Sequence, residues 1–555
     1  MKTLMTLLAS ATLLACHSTA EPTTTNPATV FINADLITMT DAPHLHDALA
    51  VRDGRIEFIG SSQQAQQRYQ QDADIIDLEG LTIMPGIHDS HVHALEAGAE
   101  VGGNCWLEAD NLAELRQPLL DCRQHQVGTD WLTAYGHELH WLIEEDNPRQ
   151  LLDQWISDRP VVIMEQSSHS AWVNSEALAR LNYHADSHNP PGGIILRDKD
   201  GEPNGILLET AAEAAFDLAY QPTEESFDLY YDGLLWAMDE MARHGITSIA
   251  DARVYWQRGW LDVWHQAELD GALKTRVNLG LWAYPLMADA AQIDFLKQQY
   301  RYDPKRLLQI NQIKIYSDGI IHNTTAALKQ PYQHSLPDVP TRGLNYFDQS
   351  RLAHYIAQLQ PAGFDFHIHT IGDRGVHEAL NAIASHPAPQ QRHRLTHVEM
   401  VDDDDLPRFA QLGVIADMQV AGDFTLPHNH DWQRPYIGDR IDQAYRLKDL
   451  LDSQATVVLS SDWTVSSLNP FIGIHNAVNR GEQSIRVEQA LAAYTRDAAF
   501  LMRSEERTGT LEVGKHADLI VIDQNPLTVA PQQLRDTRVL LTMMNGDITF
   551  QHEDF

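Results

Sequence analysis

Eight short apolar runs, each ending in polar residues and most separated by enough chain for a helix, constrain the fold of this sequence more than any other feature. They lie at 81–93, 245–251, 276–282, 310–318, 364–370, 392–399, 413–419 and 455–462. Eight βα units are the recipe for an α/β fold of the TIM-type (β/α)8 barrel class, in which groups at the C-terminal strand ends share one mouth. At 555 residues the chain has room for that barrel, expected over 81–508, and for a smaller module. Two further strand-like runs, 131–135 and 161–165, fall between the first and second barrel strands. A substrate-facing insertion over about 99–235 is therefore expected.

Strand-like texture also marks both ends. ATVFINADLITM, ALAVRDGRIEFIG with its Asp53-Gly54 turn, and ADIIDLEG precede the barrel; HADLIVID and RVLLTMMNGDITF with an Asn545-Gly546 turn follow it. Neither stretch is large enough to bury a core alone, so 29–80 and 509–555 are expected to build one small β-sandwich together.

The strand ends carry the chemistry. In LTIMPGIHDSHVH the apolar run breaks at Pro85-Gly86 and ends in His91 and His93, whose spacing puts both imidazoles on one face of extended chain. Among 28 histidines such a pair says little by itself. The later strands add Lys314 between two isoleucines, His369 with His367 as the alternative two residues earlier, His397, and Asp462. Each has a plain structural reading: a lysine projecting into the barrel, a core histidine, an aspartate capping the next helix. Convergence from five strands favours a metal site instead, with nitrogen and oxygen donors suited to one or two divalent ions, zinc foremost.

PGIHDSHVH, KIYSDG, HTIGD, RLTHVE and SSDWTV, in that order, resemble the metal-dependent amidohydrolase superfamily, and in particular its amidohydrolase-3 branch, which includes N-substituted formamide deformylases. GTLEVGKHADLIVID at 509–523 and HSAWVNSEAL at 169–178 extend the resemblance over nearly everything after Val30. It implies that His91, His93 and Asp462 hold one metal, that His369 and His397 hold a second, and that a carboxylated Lys314 bridges them. It further implies hydrolysis of a non-peptide C–N bond in a small-molecule substrate, with a metal-activated water attacking a carbonyl carbon and Asp462 passing its proton to the leaving amine. His169 is a candidate to reach the substrate or oxyanion, or else a structural histidine of the insertion. The chain departs from the pattern at GHELHW (136–141), and at IIHNTTA after Asp318-Gly319. A cyclic-amide hydrolase or deaminase of the same superfamily is the alternative enzyme, against which Lys314 counts; a binding lipoprotein without catalysis is the alternative outside enzymes.

Three motifs are refused. The stretch 509–516 has His516 where a phosphate-binding loop needs Ser or Thr; HELH misses the zincin spacing; Asp402 to Asp405 lack the alternation of a calcium loop and read as a solvated helix start.

Residues 1–20, with one early lysine, a short apolar run and LLAC, read as a secretory signal rather than a membrane span. LLAC resembles a lipobox, which implies cleavage before Cys16 and a lipid anchor there; cleavage near Ala20 is the alternative. Residues 21–28 would be the tether, and His17 after the cysteine points to a periplasm-facing outer-membrane anchor. Cys105 and Cys122 are then free to pair or not in an oxidising compartment. A net charge of -37 argues against nucleic acid and anionic membrane surfaces as partners.

Overall fold

The computed structural model describes residues 26–40, 46–71, 73–101, 105–126 and 130–555. The expected signal, with Cys16, and most of the tether lie outside the described residues. No described helix is long and apolar enough to cross a membrane.

The eight apolar runs form one parallel sheet in sequence order: β1 (Ile87–Val92), β2 (Ile246–Val254), β3 (Arg276–Trp282), β4 (Leu308–Tyr316), β5 (Asp365–Thr370), β6 (Arg394–His397), β7 (Ile415–Gln419) and β8 (Val457–Ser460). β2 and β4 are buried along all nine residues, as strands with side chains inside the barrel and helices outside must be. The sheet curls back on itself where chain just beyond β8 meets β1. Asp462 N donates to His91 O at 2.9 Å and His93 N to Trp463 O at 3.1 Å.

The outer helices follow from local sequence. Glu224–Arg243 starts at a capping box in which Thr223 and Ser226 satisfy each other's backbone N–H groups, and it ends at His244 before Gly245, whose φ is +77°. Tyr230, Leu234, Ala237, Met238 and Met241 recur at helical spacing and are buried against the barrel. Leu234 is fully buried, and trimming it to alanine is expected to cost about 2–5 kcal/mol.

The expected boundary at 81 falls instead at Gly86. Thr82–Pro85 pairs antiparallel with Leu519–Ile522 from the far end of the chain, and only Ile87 onward enters the barrel. Gly86 lies so close to Thr247 that a Cβ would sit 2.3 Å from its hydroxyl oxygen, which lets the chain pass from one sheet into the other. Around that junction a four-stranded sheet (Arg55–Gly60, Ala48–Arg52, Ala28–Ile32, Ala73–Asp77) and a five-stranded sheet containing the last three strands share one apolar cluster. Phe31, Leu49, Ile83, Leu519 and Leu541 all belong to it.

Between β1 and β2 the two strand-like runs become members of a five-stranded sheet, in the order Gly193–Arg197, Pro203–Glu209, Ser170–Val173, Val161–Glu165, Leu132–His137. Cys105 and Cys122 form a disulfide at the edge of this region. The 402–405 run is not simply solvated. Asp405 is 1% exposed and receives Lys329 at 3.0 Å, His377 at 3.0 Å and Arg408 at 2.7 Å, because three side chains meet on it.

Candidate active site

Strand β1 places His91 on the inner face and His93 just past the strand end. The backbone bonds that close the barrel bring both against Asp462, whose Oδ1 lies 3.0 Å from His93 Nε2 and 3.3 Å from His91 Nε2. His397 Nδ1 is 3.9 Å from the other oxygen, Oδ2. Asp462 and His397 both have positive φ, +54° and +73°, as has Val398 beside the latter. The surrounding imidazoles, His91 first, hold the Asp462 carboxyl well below the usual range even though burial opposes this.

Lys314, near the C-terminal end of β4, is fully buried, with Nζ 3.4 Å from His91 Nε2. No carboxylate among the described residues comes within ion-pair distance of it. Burial pushes its amine well below the ordinary lysine value, with Arg253 and Arg394 adding to the effect and Asp462 opposing it.

His369 and His367 both project from the inner face of β5, but at different depths. His369 lines the cavity at the mouth, 4.4 Å between ring centroids from His397. His367 lies beneath, its Nε2 2.9 Å from His91 Nδ1 and its Nδ1 accepting from Arg394. A deeper grouping of His91, His367 and Asp417 also brings donor atoms together. Arg394 occupies it, with Nε 3.5 Å from Asp417 Oδ2, so a guanidinium already supplies the positive charge there.

The upper set fits a divalent metal. His369 Nε2 donates to Gly319 O at 3.3 Å, which fixes the proton there and leaves Nδ1 buried with a free lone pair and no partner; His93 Nδ1 is likewise buried and unpartnered. His91 Nδ1 lies 2.7 Å from Thr396 Oγ1 and 2.9 Å from His367 Nε2, two contacts that fix the ring's orientation. His91, His397 and Asp462 offer donor atoms close enough to share one ion.

Of these residues, Asp462, His369 and His397 line a cavity of about 950 Å³. His169 lines it, stacked 5.4 Å from Tyr316 and tilted 5.3 Å from His369. Glu209 accepts from His169 Nδ1 at 2.7 Å and is itself held by Tyr346 at 2.6 Å and by Thr325. That bond pins the proton on Nδ1 and presents Nε2 to the cavity. Both departures from the motif pattern reach the walls: Glu138 and His140 from one, Ile320, Ile321 and His322 from the other.

Several supporting residues were given no role by the sequence. Glu209 ends an apolar run, GILLE, as the barrel ligands do, and that was its only signal. Asp318 accepts from the backbone N–H of Ala327, Ile371 and Gly372 at 2.8, 3.0 and 2.8 Å, tying together the loops after β4 and β5. Burial pushes its carboxyl up to about 7. Arg253, 2.6 Å from Glu96 and from the Tyr316 hydroxyl, braces the wall beside His93.

The model of the Amidohydrolase family matches residues 74–550. The chain is 26% identical to a Bacillus subtilis (strain 168) protein named "Putative amidohydrolase YtcJ", over 93% of this chain and 98% of that one. It is 24% identical to the N-substituted formamide deformylase of Arthrobacter pascens, over 94% and 98%. Among solved structures it resembles an uncharacterized metal-dependent hydrolase from Pyrococcus horikoshii OT3, with a TM-score of 0.71, 26% identity and coverage of 91% and 99%.

Proposed function

The chain belongs to the amidohydrolase family, a metal-dependent hydrolase acting on C–N bonds, and we propose that its substrates are N-substituted amides or formamides. The observation that carries the reading is the convergence of Asp462 Oδ1 with two imidazole Nε2 atoms, at 3.0 and 3.3 Å, where Asp462 itself lines the cavity. Likeness to the formamide deformylase along nearly the whole of both chains supports the substrate class.

His91, His93 and Asp462 would hold one zinc or related ion, and His369 and His397 a second. A neutral buried amine is the form that adds carbon dioxide, so the depressed Lys314 supports a carboxylated lysine shared between the two ions. Metal bound here supplies Lewis acidity toward a carbonyl oxygen and acidifies water. The protein's own groups do the rest. Asp462, beside both histidines, would accept a proton from the attacking water and return it to the departing amine nitrogen. His169 Nε2, held in orientation by Glu209, faces the substrate and positions its carbonyl or amide group. The apolar walls, with Ile320, Ile321 and Leu336, exclude bulk water from the substituent.

The proposed location is outside the cytoplasm, on a lipid anchor at Cys16. The Cys105–Cys122 disulfide supports an oxidising compartment.

Elemental mass spectrometry and native intact mass on protein purified without chelator test the centre, and amine release from a panel of formamides and amides tests the chemistry. Two divalent ions, an added carboxylate mass and amine release are expected. Retention of no metal after reconstitution with zinc and bicarbonate would overturn the reading.

A further inference from the structure

Above the histidines the cavity has a one-sided charge pattern. Among the described residues no lysine or arginine lines it, whereas Glu138, Glu144, Glu165 and Glu399 do. Most of these carboxylates are accounted for. Glu138 pairs with His140 at 3.1 Å near the surface, Glu144 is exposed, and Glu165 receives Ser167 N at 3.0 Å with His322 at 3.8 Å.

Glu399 differs. It sits two residues beyond His397, on the segment leaving β6, and no cation among the described residues is within ion-pair distance. Its side-chain donors are neutral, the Gln433 amide with Nε2 at 3.3 Å and the Tyr445 side chain. Gln433 is itself 3% exposed and lines the same cavity, and its Oε1 has no hydrogen-bond partner among the described residues. Turning the amide over would set that oxygen against the carboxylate, so Glu399 fixes its orientation. A carboxylate and a buried amide oxygen are thus left side by side with acceptor capacity and no cation to fill it, at a cost that a donor-rich ligand would relieve. Trp432 and Tyr436 flank Gln433 in sequence and line the cavity, offering aromatic faces to a cation.

We propose that Glu399 and Gln433 form a recognition site for a protonated amine on the substrate, remote from the scissile bond, and that substrates with a carboxylate at that position are rejected. This rests on the amide-hydrolase reading and narrows it to cationic amides.

Three formamides matched in shape test it on metal-loaded protein: N-[4-(aminomethyl)benzyl]formamide, N-[4-(hydroxymethyl)benzyl]formamide and 4-(formamidomethyl)benzoate. The ammonium compound is expected to exceed the alcohol in kcat/KM by about tenfold or more, with the carboxylate lowest. Glu399→Gln should bring the ammonium-to-alcohol ratio to within about threefold of one, and Glu399→Asp should keep much of the preference. If the variants fail to fold, the native ratio should still fall as salt rises. A native ratio at or below one, a ratio unchanged in Glu399→Gln, or a ratio indifferent to salt would overturn the proposal. If none of the three is hydrolysed, the formamide reading fails, and calorimetry on the same compounds still decides the charge preference: equal affinities reject it, tighter binding of the ammonium compound upholds it.

Discussion

The backbone N–H of Asp462 donates to the carbonyl of His91 at 2.9 Å, while Oδ1 of the same aspartate lies 3.3 Å from Nε2 of the same histidine. The contact that closes the barrel is therefore also the contact that assembles the site. Asp462→Asn keeps the backbone bond and a donor oxygen but loses the base. It is expected to fold, to retain much of its metal, and to lower kcat on a formamide by about 10²–10⁴-fold. Undiminished kcat would remove Asp462 from proton transfer.

Among the described residues no carboxylate lies within ion-pair distance of the buried Lys314. Lys314→Ala should therefore leave the fold intact and lose at least one equivalent of bound divalent metal, measured by elemental mass spectrometry. Full occupancy in this variant would show that the lysine does not bridge.

Glu209 acts through His169, 2.7 Å away, without lining the cavity itself. Glu209→Gln is expected to lower kcat/KM by about 10–100-fold, as loss of a hydrogen bond that orients a functional histidine does. In a His169→Asn background the same change should add little. Fully additive effects would mean that Glu209 works by another route.

Asp405 is buried among Lys329, His377 and Arg408, and these partners hold its carboxyl below the usual value despite burial. A depressed folded-state pKa contributes stability above the unfolded pKa and loses it as pH falls through the folded one. Asp405→Asn should thus be destabilised by about 1–3 kcal/mol at neutral pH. In denaturant titrations the gap to the native protein should narrow as pH drops below about 4. A gap that is constant with pH would show that the charge contributes nothing.

If Cys16 carries a lipid, Cys16→Ser should move the protein from the membrane fraction to the soluble one after cell fractionation, with activity per molecule unchanged. An unchanged membrane fraction would leave the lipobox resemblance without consequence.

The eight strands were legible because each is an apolar run of the right length closed by polar residues, and strand formation depends on that local pattern. The identities of His91, His93, Lys314, His369, His397 and Asp462 were legible for the same reason, since barrel chemistry sits at strand ends. Depth was not. His367 and His369 share a face in period-two chain, and only the stagger of β5 against its neighbours puts one at the mouth and the other under His91. The boundary at Gly86 was hidden because Thr82–Pro85 takes its partner from Leu519–Ile522, a pairing set by the two chain ends meeting. Glu209 beneath His169, Lys329 against Asp405 and Gln433 against Glu399 are likewise contacts between distant segments. The sequence by itself determined which donors the strand ends carry and in what order. Tertiary structure decided which of them meet, because the meeting distances follow from closure of the whole barrel and the packing of its loops, which no local pattern encodes.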